Sequence, residues 1–324
     1  MKAVVYRRYG PPDVLSLEDV EAPQPKSDEI LVRVRAAEVT KADCELRSFR
    51  FPVKWHWIPL HLVLGVLRPR RPILGGYFSG EVAAVGSSVS AFSPGQRVYG
   101  ALQLRFGAYA EYVCVPDSYT VAPMPANLTF EEAAAVPLGG LNAIHFMRRA
   151  EIEPGERVLV NGAGGSIGAY AIQIAKGKGA EVTAVDAAHK EQALRRLGAD
   201  HFIDYNTEDF AASDEKYDVI FNMVASRSFS SCMAALDHGG RYLMANPKLS
   251  DLLRSLLPRR ASGKRAVTAL AREALEELVE LTDLFEGGRL TAPVDRVYSM
   301  SEAPEAHRRV EAEQRLGSVV LKIA

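Results

Sequence analysis

The pattern of hydrophobic and polar positions divides the chain into two parts. From Lys2 to about Pro123, short alternating runs such as Glu29–Ala37 are separated by turns rich in glycine and proline, which predicts a compact β domain with barrel-like corners. After about Pro125, apolar runs of strand length alternate with helical spacing as far as about Gly288. The expected fold class is therefore α/β, a doubly wound parallel sheet beside a β-barrel domain.

Six strands are predicted in the second part. A helix should precede them, because Thr129 and Glu132 have the spacing of a capping box. The last helix, Arg272–Glu286, should end at the glycine pair that follows it. Two strand-like segments beyond it, 294–298 and 317–322, are expected to return to the first part. The six predicted strands are 158–161, 182–186, 201–205, 218–223, 241–245 and 265–270.

Closely spaced glycines join the first of these strands to a helix. The stretch reads Val158-Leu-Val-Asn-Gly-Ala-Gly-Gly-Ser-Ile-Gly168. Glycines permit the tight turn and let backbone N–H groups approach a pyrophosphate at the helix N-terminus. The spacing is GxxGxxG, and Asp186 follows at nearly the ~20-residue offset of the dinucleotide fingerprint. The predicted cofactor-binding residues are Gly162, Ala163, Gly164, Gly165, Ser166, Ile167, Gly168, Asp186, Lys190, Tyr205 and Asn246.

Asp186 bears on the choice of cofactor. A carboxylate at the end of the second strand accepts two ribose hydroxyls and repels a 2′-phosphate, which favours NAD(H) over NADP(H). His189 and Lys190 follow closely and argue in the other direction. A surface aspartate that caps the next helix is the alternative.

Composition mainly excludes classes of function. The chain has 324 residues, with 39 Lys and Arg against 40 Asp and Glu, so its net charge gives no case for nucleic-acid binding. Its three cysteines are far apart and form no CxxC pair, which fits a reduced, cytoplasmic setting. The N-terminus has no long apolar run of the kind that marks a signal peptide.

An aromatic insert from Ser48 to Arg71 interrupts the β pattern. It is too short and too polar for a membrane span. Two interpretations stay open: a helical excursion packed on the barrel, or an apolar wall over a substrate pocket. In the second, Trp55 and Trp57 would bind a flat apolar ring.

Several motifs occur in an order that resembles the medium-chain dehydrogenase/reductase superfamily, and within it the zinc-independent quinone oxidoreductase-like branch. The resemblance covers almost the whole chain. Besides the glycine-rich turn, the motifs are Gly75-Gly-Tyr-Phe-Ser-Gly80, Gly95-Gln-Arg-Val98, Phe106-Gly-Ala-Tyr-Ala-Glu-Tyr112 and Ala134-Ala-Val-Pro-Leu-Gly-Gly-Leu141.

This resemblance implies a domain plan and an assembly. A GroES-like catalytic domain would span 1–123, completed by 289–324, and a Rossmann domain would span 124–288. The active-site cleft would lie where the two domains meet, and a homodimer is expected.

The resemblance also implies where zinc would bind in metal-dependent relatives. The matching positions here are Thr40, Gly76 and Leu138, and none of these is a normal zinc ligand. The four-cysteine structural lobe is missing as well. No metal is therefore expected.

Three residues are candidates for catalysis by the same comparison. Thr40 stands where zinc-free relatives commonly carry Asn, and Tyr77 where they carry an acid; both would offer weak hydrogen-bond donors. Asn142 replaces a usual Thr near the nicotinamide, where it would bind ribose or substrate. Capping of a helix Ala143–Arg149 is its alternative role.

Together these features predict a zinc-independent, NAD(P)H-dependent oxidoreductase. Without a metal, a conjugated acceptor is favoured because it delocalises the incoming charge, so the partner should be a small quinone or α,β-unsaturated carbonyl. An NAD(P)-dependent alcohol dehydrogenase and a nucleotide-binding protein without turnover are the alternatives, and the intact glycine-rich turn favours an enzyme.

Overall fold

The structure is a computed structural model that describes residues 1–51, 65, 67–255, 263–268 and 272–323. The predicted pocket residues Trp55 and Trp57 lie outside the described residues. By its internal contacts the chain divides into two compact units. The first consists of Met1–Leu138, Glu273–Gly287 and Ala292–Ala324, and the second of Gly139–Arg272 and Gly288–Thr291.

The described strands and helices follow the chain in this order. The strands are β1 (Lys2–Tyr6), β2 (Leu15–Asp19), β3 (Glu29–Val39), β4 (Tyr77–Val85), β5 (Arg97–Ala101), β6 (Tyr112–Pro116), β7 (Val121–Pro123), β8 (Arg157–Asn161), β9 (Glu181–Asp186), β10 (His201–Asp204), β11 (Tyr217–Asn222), β12 (Leu236–Met244), β13 (Arg265–Thr268), β14 (Val294–Ser299) and β15 (Ser318–Lys322). The helices are α1 (Lys41–Ser48), α2 (Phe130–Ala134), α3 (Val136–Ala150), α4 (Ser166–Gly177), α5 (Glu191–Arg196), α6 (Phe229–Ala235), α7 (Leu249–Ser255), α8 (Leu275–Glu286) and α9 (Ala303–Glu311).

The first unit is built on a largely antiparallel sheet of the order β14-β15-β3-β4-β5-β7, with β6 also paired to β3. β15 pairs antiparallel with β3, and β14 runs parallel to β15. Strands from both ends of the chain therefore share one sheet, as the sequence predicted. Their inward side chains, among them Val32, Phe78 and Val98, form a core that excludes water, the main source of its stability.

The second unit contains the predicted parallel sheet, in the order β10-β9-β8-β11-β12-β13. This is the doubly wound arrangement. From β8 the chain continues to β9 and β10 on one side of the sheet, and it then crosses to β11, β12 and β13 on the other side. All six predicted strands are present; the last is described to Thr268, and its predicted final residues lie outside the described ones. The Rossmann prediction is confirmed.

The helix ends follow the expected local chemistry. Thr129 Oγ1 accepts a hydrogen bond from the Glu132 N–H at 3.2 Å, and Glu132 Oε2 accepts from the Thr129 N–H at 2.8 Å, which confirms the capping box. α8 begins at Leu275 rather than Arg272, and it ends before Gly288, whose φ is +66°.

The domain limits drawn from the sequence stay a prediction, although 124–138 and 273–287 group with the first unit. Segment 273–287 is held to the first unit in part by Tyr99 on β5, whose phenol donates to the Leu278 carbonyl of α8 at 3.0 Å. No helix in the described part of the chain is long and apolar enough to cross a membrane.

Candidate functional site

The glycine-rich turn lies at the carboxyl end of β8 and leads into α4. The N–H groups of Gly162 and Ala163 donate to the Val185 carbonyl at 3.1 and 3.2 Å, which ties the turn to β9. Gly162 has φ +89°, a conformation that glycine adopts readily. The N-cap of α4 is Gly165, with no side-chain capping bond, so its first N–H groups suit a phosphate.

Close packing requires the last glycine of this motif. A Cβ on Gly168 would lie 2.5 Å from the Gly162 carbonyl oxygen and 2.7 Å from Ala163. Only a hydrogen fits there, and it lets α4 approach the turn. The turn is therefore shaped to hold a dinucleotide pyrophosphate.

Asp186 ends β9 and binds this turn directly. Its Oδ2 accepts from the Gly164 N–H at 2.7 Å, and its Oδ1 accepts from the Ala187 N–H at 2.8 Å. Lys190 Nζ forms an ion pair with Oδ1 at 2.8 Å, and both side chains are buried. The alternative role as a surface helix cap is wrong, because neither following helix has a side-chain capping bond.

Two other predicted cofactor residues lie on the second unit. Tyr205 follows β10, exposes 59% of its surface, and donates its N–H to the Asp186 carbonyl at 3.4 Å. Asn246 follows β12, and its side-chain amide donates to the Met223 carbonyl at 3.1 Å. Both positions are compatible with nucleotide binding, which stays a prediction for them.

Sequence reasoning missed an asparagine network at the point where the strand order reverses. Asn161 Nδ2 donates to Asn222 Oδ1 at 2.8 Å, and Asn222 Nδ2 donates to the Tyr242 hydroxyl at 2.9 Å. The Val224 N–H also donates to Asn222 Oδ1, at 3.1 Å. The loop after β11 is thereby fixed against the glycine-rich turn. The sequence signal that could have predicted this network is that two of the predicted parallel strands each contain an asparagine at the carboxyl end.

Asn142 lies inside α3, which begins at Val136. The alternative that it caps a helix Ala143–Arg149 is therefore wrong, since a cap stands outside the first turn. Its side chain is half-buried. Its contact with nicotinamide or substrate stays a prediction.

In the first unit, Thr40 is the N-cap of α1 and is buried. Its hydroxyl donates to Asp43 Oδ2 at 2.6 Å and accepts from the Asp43 N–H at 3.0 Å. The Gly75 N–H donates to Asp43 Oδ1 at 3.1 Å. The hydroxyl hydrogen of Thr40 is thus directed to Asp43, a capping role that its three-residue spacing could have indicated.

Tyr77 begins β4 and is half-buried. Its hydroxyl donates to Glu273 Oε1 at 2.9 Å. Burial, and then the charge of Glu273, hold the pKa of the Tyr77 phenol well above its ordinary value. Burial also raises the pKa of Glu273, against the lowering effect of the Tyr77 hydrogen bond. These residues are 196 positions apart, so no local pattern predicted the pair.

A second acid, Glu38, is buried and contributes to the raised pKa of Tyr77. It is 1% exposed, and its Oε2 has no hydrogen-bond partner among the described residues. Burial raises the pKa of Glu38 to about 8, partly offset by a hydrogen bond from Ser318. Glu38, Asp43 and Glu273 all raise the pKa of the Tyr77 phenol.

The positions that match zinc ligands differ in chemistry from a zinc site. The Thr40 hydroxyl is engaged as described, and Gly76 and Leu138 have no donor atoms in their side chains. Within the described ranges, no group of three or more His, Cys, Asp or Glu side chains could hold a metal ion.

Comparison with known proteins agrees with this architecture. Residues 26–126 match the family model of the alcohol dehydrogenase GroES-like domain, and residues 197–321 match that of the zinc-binding dehydrogenase. The second description names a family and does not assign a metal to this chain.

Two relatives and one solved structure illustrate the similarity. The 2-methylene-furan-3-one reductase of Solanum lycopersicum is 31% identical over 91% of this chain and 78% of its own. The NADPH-dependent alkenal/one oxidoreductase of Arabidopsis thaliana, a chloroplastic protein, is 31% identical over 99% and 79%. The quinone oxidoreductase structure from Coxiella burnetii has a TM-score of 0.87 and 29% identity, covering 100% and 99% of the two chains.

Polyketide synthases of Streptomyces also match, but this chain spans only 12% and 7% of the length of two of them. The relatives that it covers at greater length are named as reductases or oxidoreductases. With a GroES-like unit, a Rossmann sheet and an intact glycine-rich turn, the chain belongs to the medium-chain dehydrogenase/reductase superfamily and is an NAD(P)-dependent oxidoreductase.

Proposed function

We propose that this protein reduces quinones or α,β-unsaturated carbonyl compounds by direct hydride transfer from a nicotinamide cofactor. The observation that carries the proposal is the intact dinucleotide turn of the second unit. In the first unit, the Tyr77 phenol, whose pKa is raised by burial and nearby acids, is the candidate proton donor. Relatives named for enone and quinone reduction support it. The alcohol dehydrogenase and binding-protein alternatives are not favoured.

The chemistry follows from the residues present. The glycine-rich turn and α4 would hold the pyrophosphate, and Asp186 the adenosine ribose. When bound, the nicotinamide supplies the hydride. Tyr77 then supplies a hydrogen-bond donor and a proton to the anion that forms on a conjugated acceptor, whose charge is already spread by conjugation. Asn142 would orient the bound groups, and Thr40 holds Asp43, whose charge acts on the Tyr77 phenol.

The preferred cofactor is NAD(H). Asp186 is buried and ionically paired, but its two oxygens remain at the end of β9, where a 2′-phosphate would meet negative charge. The protein holds no catalytic zinc, because Thr40, Gly76 and Leu138 stand in the ligand positions. We also propose that the protein is a cytoplasmic homodimer. Light scattering after gel filtration would measure its mass.

A spectrophotometric screen tests the proposal. Oxidation of NADH and NADPH is followed with quinones, enones, simple aldehydes and ketones, and the reverse reaction with alcohols. Conjugated acceptors should be reduced faster than unconjugated ones. Faster oxidation of simple alcohols than reduction of enones would reject the proposal and restore the alcohol dehydrogenase alternative.

A further inference from the structure

Glu273 is an acidic residue that belongs neither to the sequence motifs nor to the cofactor site. It is half-buried at the start of the segment that leads into α8, and its carboxylate accepts the Tyr77 hydroxyl at 2.9 Å. Thr120 Oγ1 donates to the Glu273 main-chain carbonyl at 2.5 Å, which fixes the backbone of this residue. The carboxyl group is therefore positioned rather than free in solvent.

We propose that Glu273 is the proton store for Tyr77, and that the two side chains form a relay that delivers a proton to the reduced acceptor. This inference rests on the proposed function and names the group that replaces the proton Tyr77 gives up. Glu273 is a positioning and relay residue, since its partner in the structure is Tyr77.

In this relay, each proton that leaves one group forms a bond to the next. After hydride addition the acceptor carries a negative charge; the Tyr77 O–H bond breaks, and its proton forms a C–H or O–H bond on the acceptor. The Glu273 O–H bond then breaks, and its proton restores the Tyr77 hydroxyl. Glu273 finally regains a proton from water, which its partial exposure permits.

The hydrogen bond joins the two groups between which the proton would pass. With Glu273 ionised, the Tyr77 hydrogen points to the carboxylate, as in the observed contact. With Glu273 protonated, the carboxyl donates to the phenol oxygen instead, and the Tyr77 hydrogen is released for an acceptor.

The surrounding charges favour a neutral Glu273 during turnover. A tyrosinate beside a carboxylate in a partly buried setting is costly, because like charges repel strongly where water is excluded. Asp43, which accepts hydrogen bonds from Thr40 and Gly75, adds further negative charge around the same phenol. A proton from Glu273 neutralises the tyrosinate. The negative charge then lies on Glu273 alone, and the two side chains are never charged at the same time.

The first measurement uses the full-length protein without nucleotide. Infrared difference spectra between acidic and alkaline solution report protonated carboxyl groups, and Glu273→Gln should remove one such band. Tyr77→Phe should shift the same band, because the hydrogen-bond partner is lost. The matched control is Glu215→Gln in the second unit, whose carboxylate accepts the Tyr217 hydroxyl at 3.1 Å; it should leave that band in place.

The second measurement uses turnover. Glu273→Gln should lower kcat for an enone roughly tenfold or more, up to the ~10²–10⁴-fold that proton transfer by a positioned group contributes, with KM and nucleotide affinity within about twofold. Glu215→Gln should match the wild type. The proposal is overturned if Glu273→Gln removes no band, or if its kcat equals that of the control.

The two levels of the proposal fail separately. A wild-type protein that reduces no enone or quinone would reject the proposed function, whereas the infrared bands of Glu273 and Tyr77 would still decide whether the pair stores a proton. An active wild type with an equally active Glu273→Gln variant would retain the function and reject the relay.

Discussion

At the scale of single residues, the main finding is the amount of acid buried around one phenol. Glu38 is the extreme member, since it is almost inaccessible and one of its oxygens has no partner in the described part of the chain. The cost of burying an unpaired carboxylate is large enough that the group keeps its proton instead. Arg315 and Asp43 are the charged groups that act on it, with opposite effects.

Glu38 should make stability depend on pH. Its folded pKa of about 8 lies above the ordinary glutamate value of 4.5, so the native state binds the proton more tightly than the unfolded chain. The contribution is complete at low pH and is lost as pH rises through about 8, with a slope of up to about 1.4 kcal/mol per pH unit. Urea unfolding at several pH values measures this slope, and Glu38→Gln should reduce it. Equal slopes in both proteins would contradict the neutral state of Glu38.

Asp186 should decide cofactor preference together with Lys190. Wild type should prefer NADH, and Asp186→Ser should shift preference toward NADPH, because the ion pair releases an ammonium that can meet a 2′-phosphate. The ratio of kcat/KM values for the two cofactors is the measurement. Asp186→Ser combined with Lys190→Ala should shift less. A wild-type preference for NADPH above about tenfold, or 1.4 kcal/mol, would refute the assignment.

At the scale of elements, the strand, turn and helix around Gly162 work as one unit. β8 and β9 hold the turn by backbone hydrogen bonds, and α4 approaches it only because Gly168 has no side chain. The loop after β11 is fixed by Asn161 and Asn222 on the other side. The nucleotide surface is therefore set by packing among elements as much as by the glycines themselves.

Gly168→Ala should weaken nucleotide binding by roughly tenfold or more, since its Cβ would meet backbone atoms 2.5 and 2.7 Å away. Gly177→Ala, at the end of the same helix, is the control, because its Cβ would meet nothing within 4 Å. That variant should bind normally and gain roughly 0.4–1 kcal/mol of stability. Calorimetric titration with NADH and thermal unfolding check both, and equal affinities would show that the close approach is unimportant.

At the scale of the whole molecule, the chain consists of two units that differ in construction. The first joins strands from both ends of the chain, because β15 lies between β14 and β3. The second is built mainly from parallel strands that alternate with helices. The predicted catalytic residues are divided between them, with Thr40 and Tyr77 in the first and Asn142 in the second.

The purified protein should contain no stoichiometric zinc and should keep its activity in a strong chelator. The physical reason is that hydroxyl, hydrogen and alkyl groups at Thr40, Gly76 and Leu138 replace the sulfur and nitrogen ligands that zinc requires. Elemental analysis of the intact protein measures the metal content. One zinc per chain, with activity lost on chelation, would show that the ligand positions were matched incorrectly.

The sequence alone determined the features that depend on near neighbours. Strand and helix periods, the Thr129 capping box and the glycine-rich turn arise from interactions within a few residues, and they were sufficient for the fold class and the cofactor turn. Tertiary structure decided the rest. The Asp186 to Gly164 bond, the Asn161 to Asn222 bond and the Tyr77 to Glu273 pair join groups that only folding brings within hydrogen-bond distance. Burial of Glu38 likewise follows from strand pairing and packing, because desolvation depends on what covers a residue and not on its neighbours in the chain.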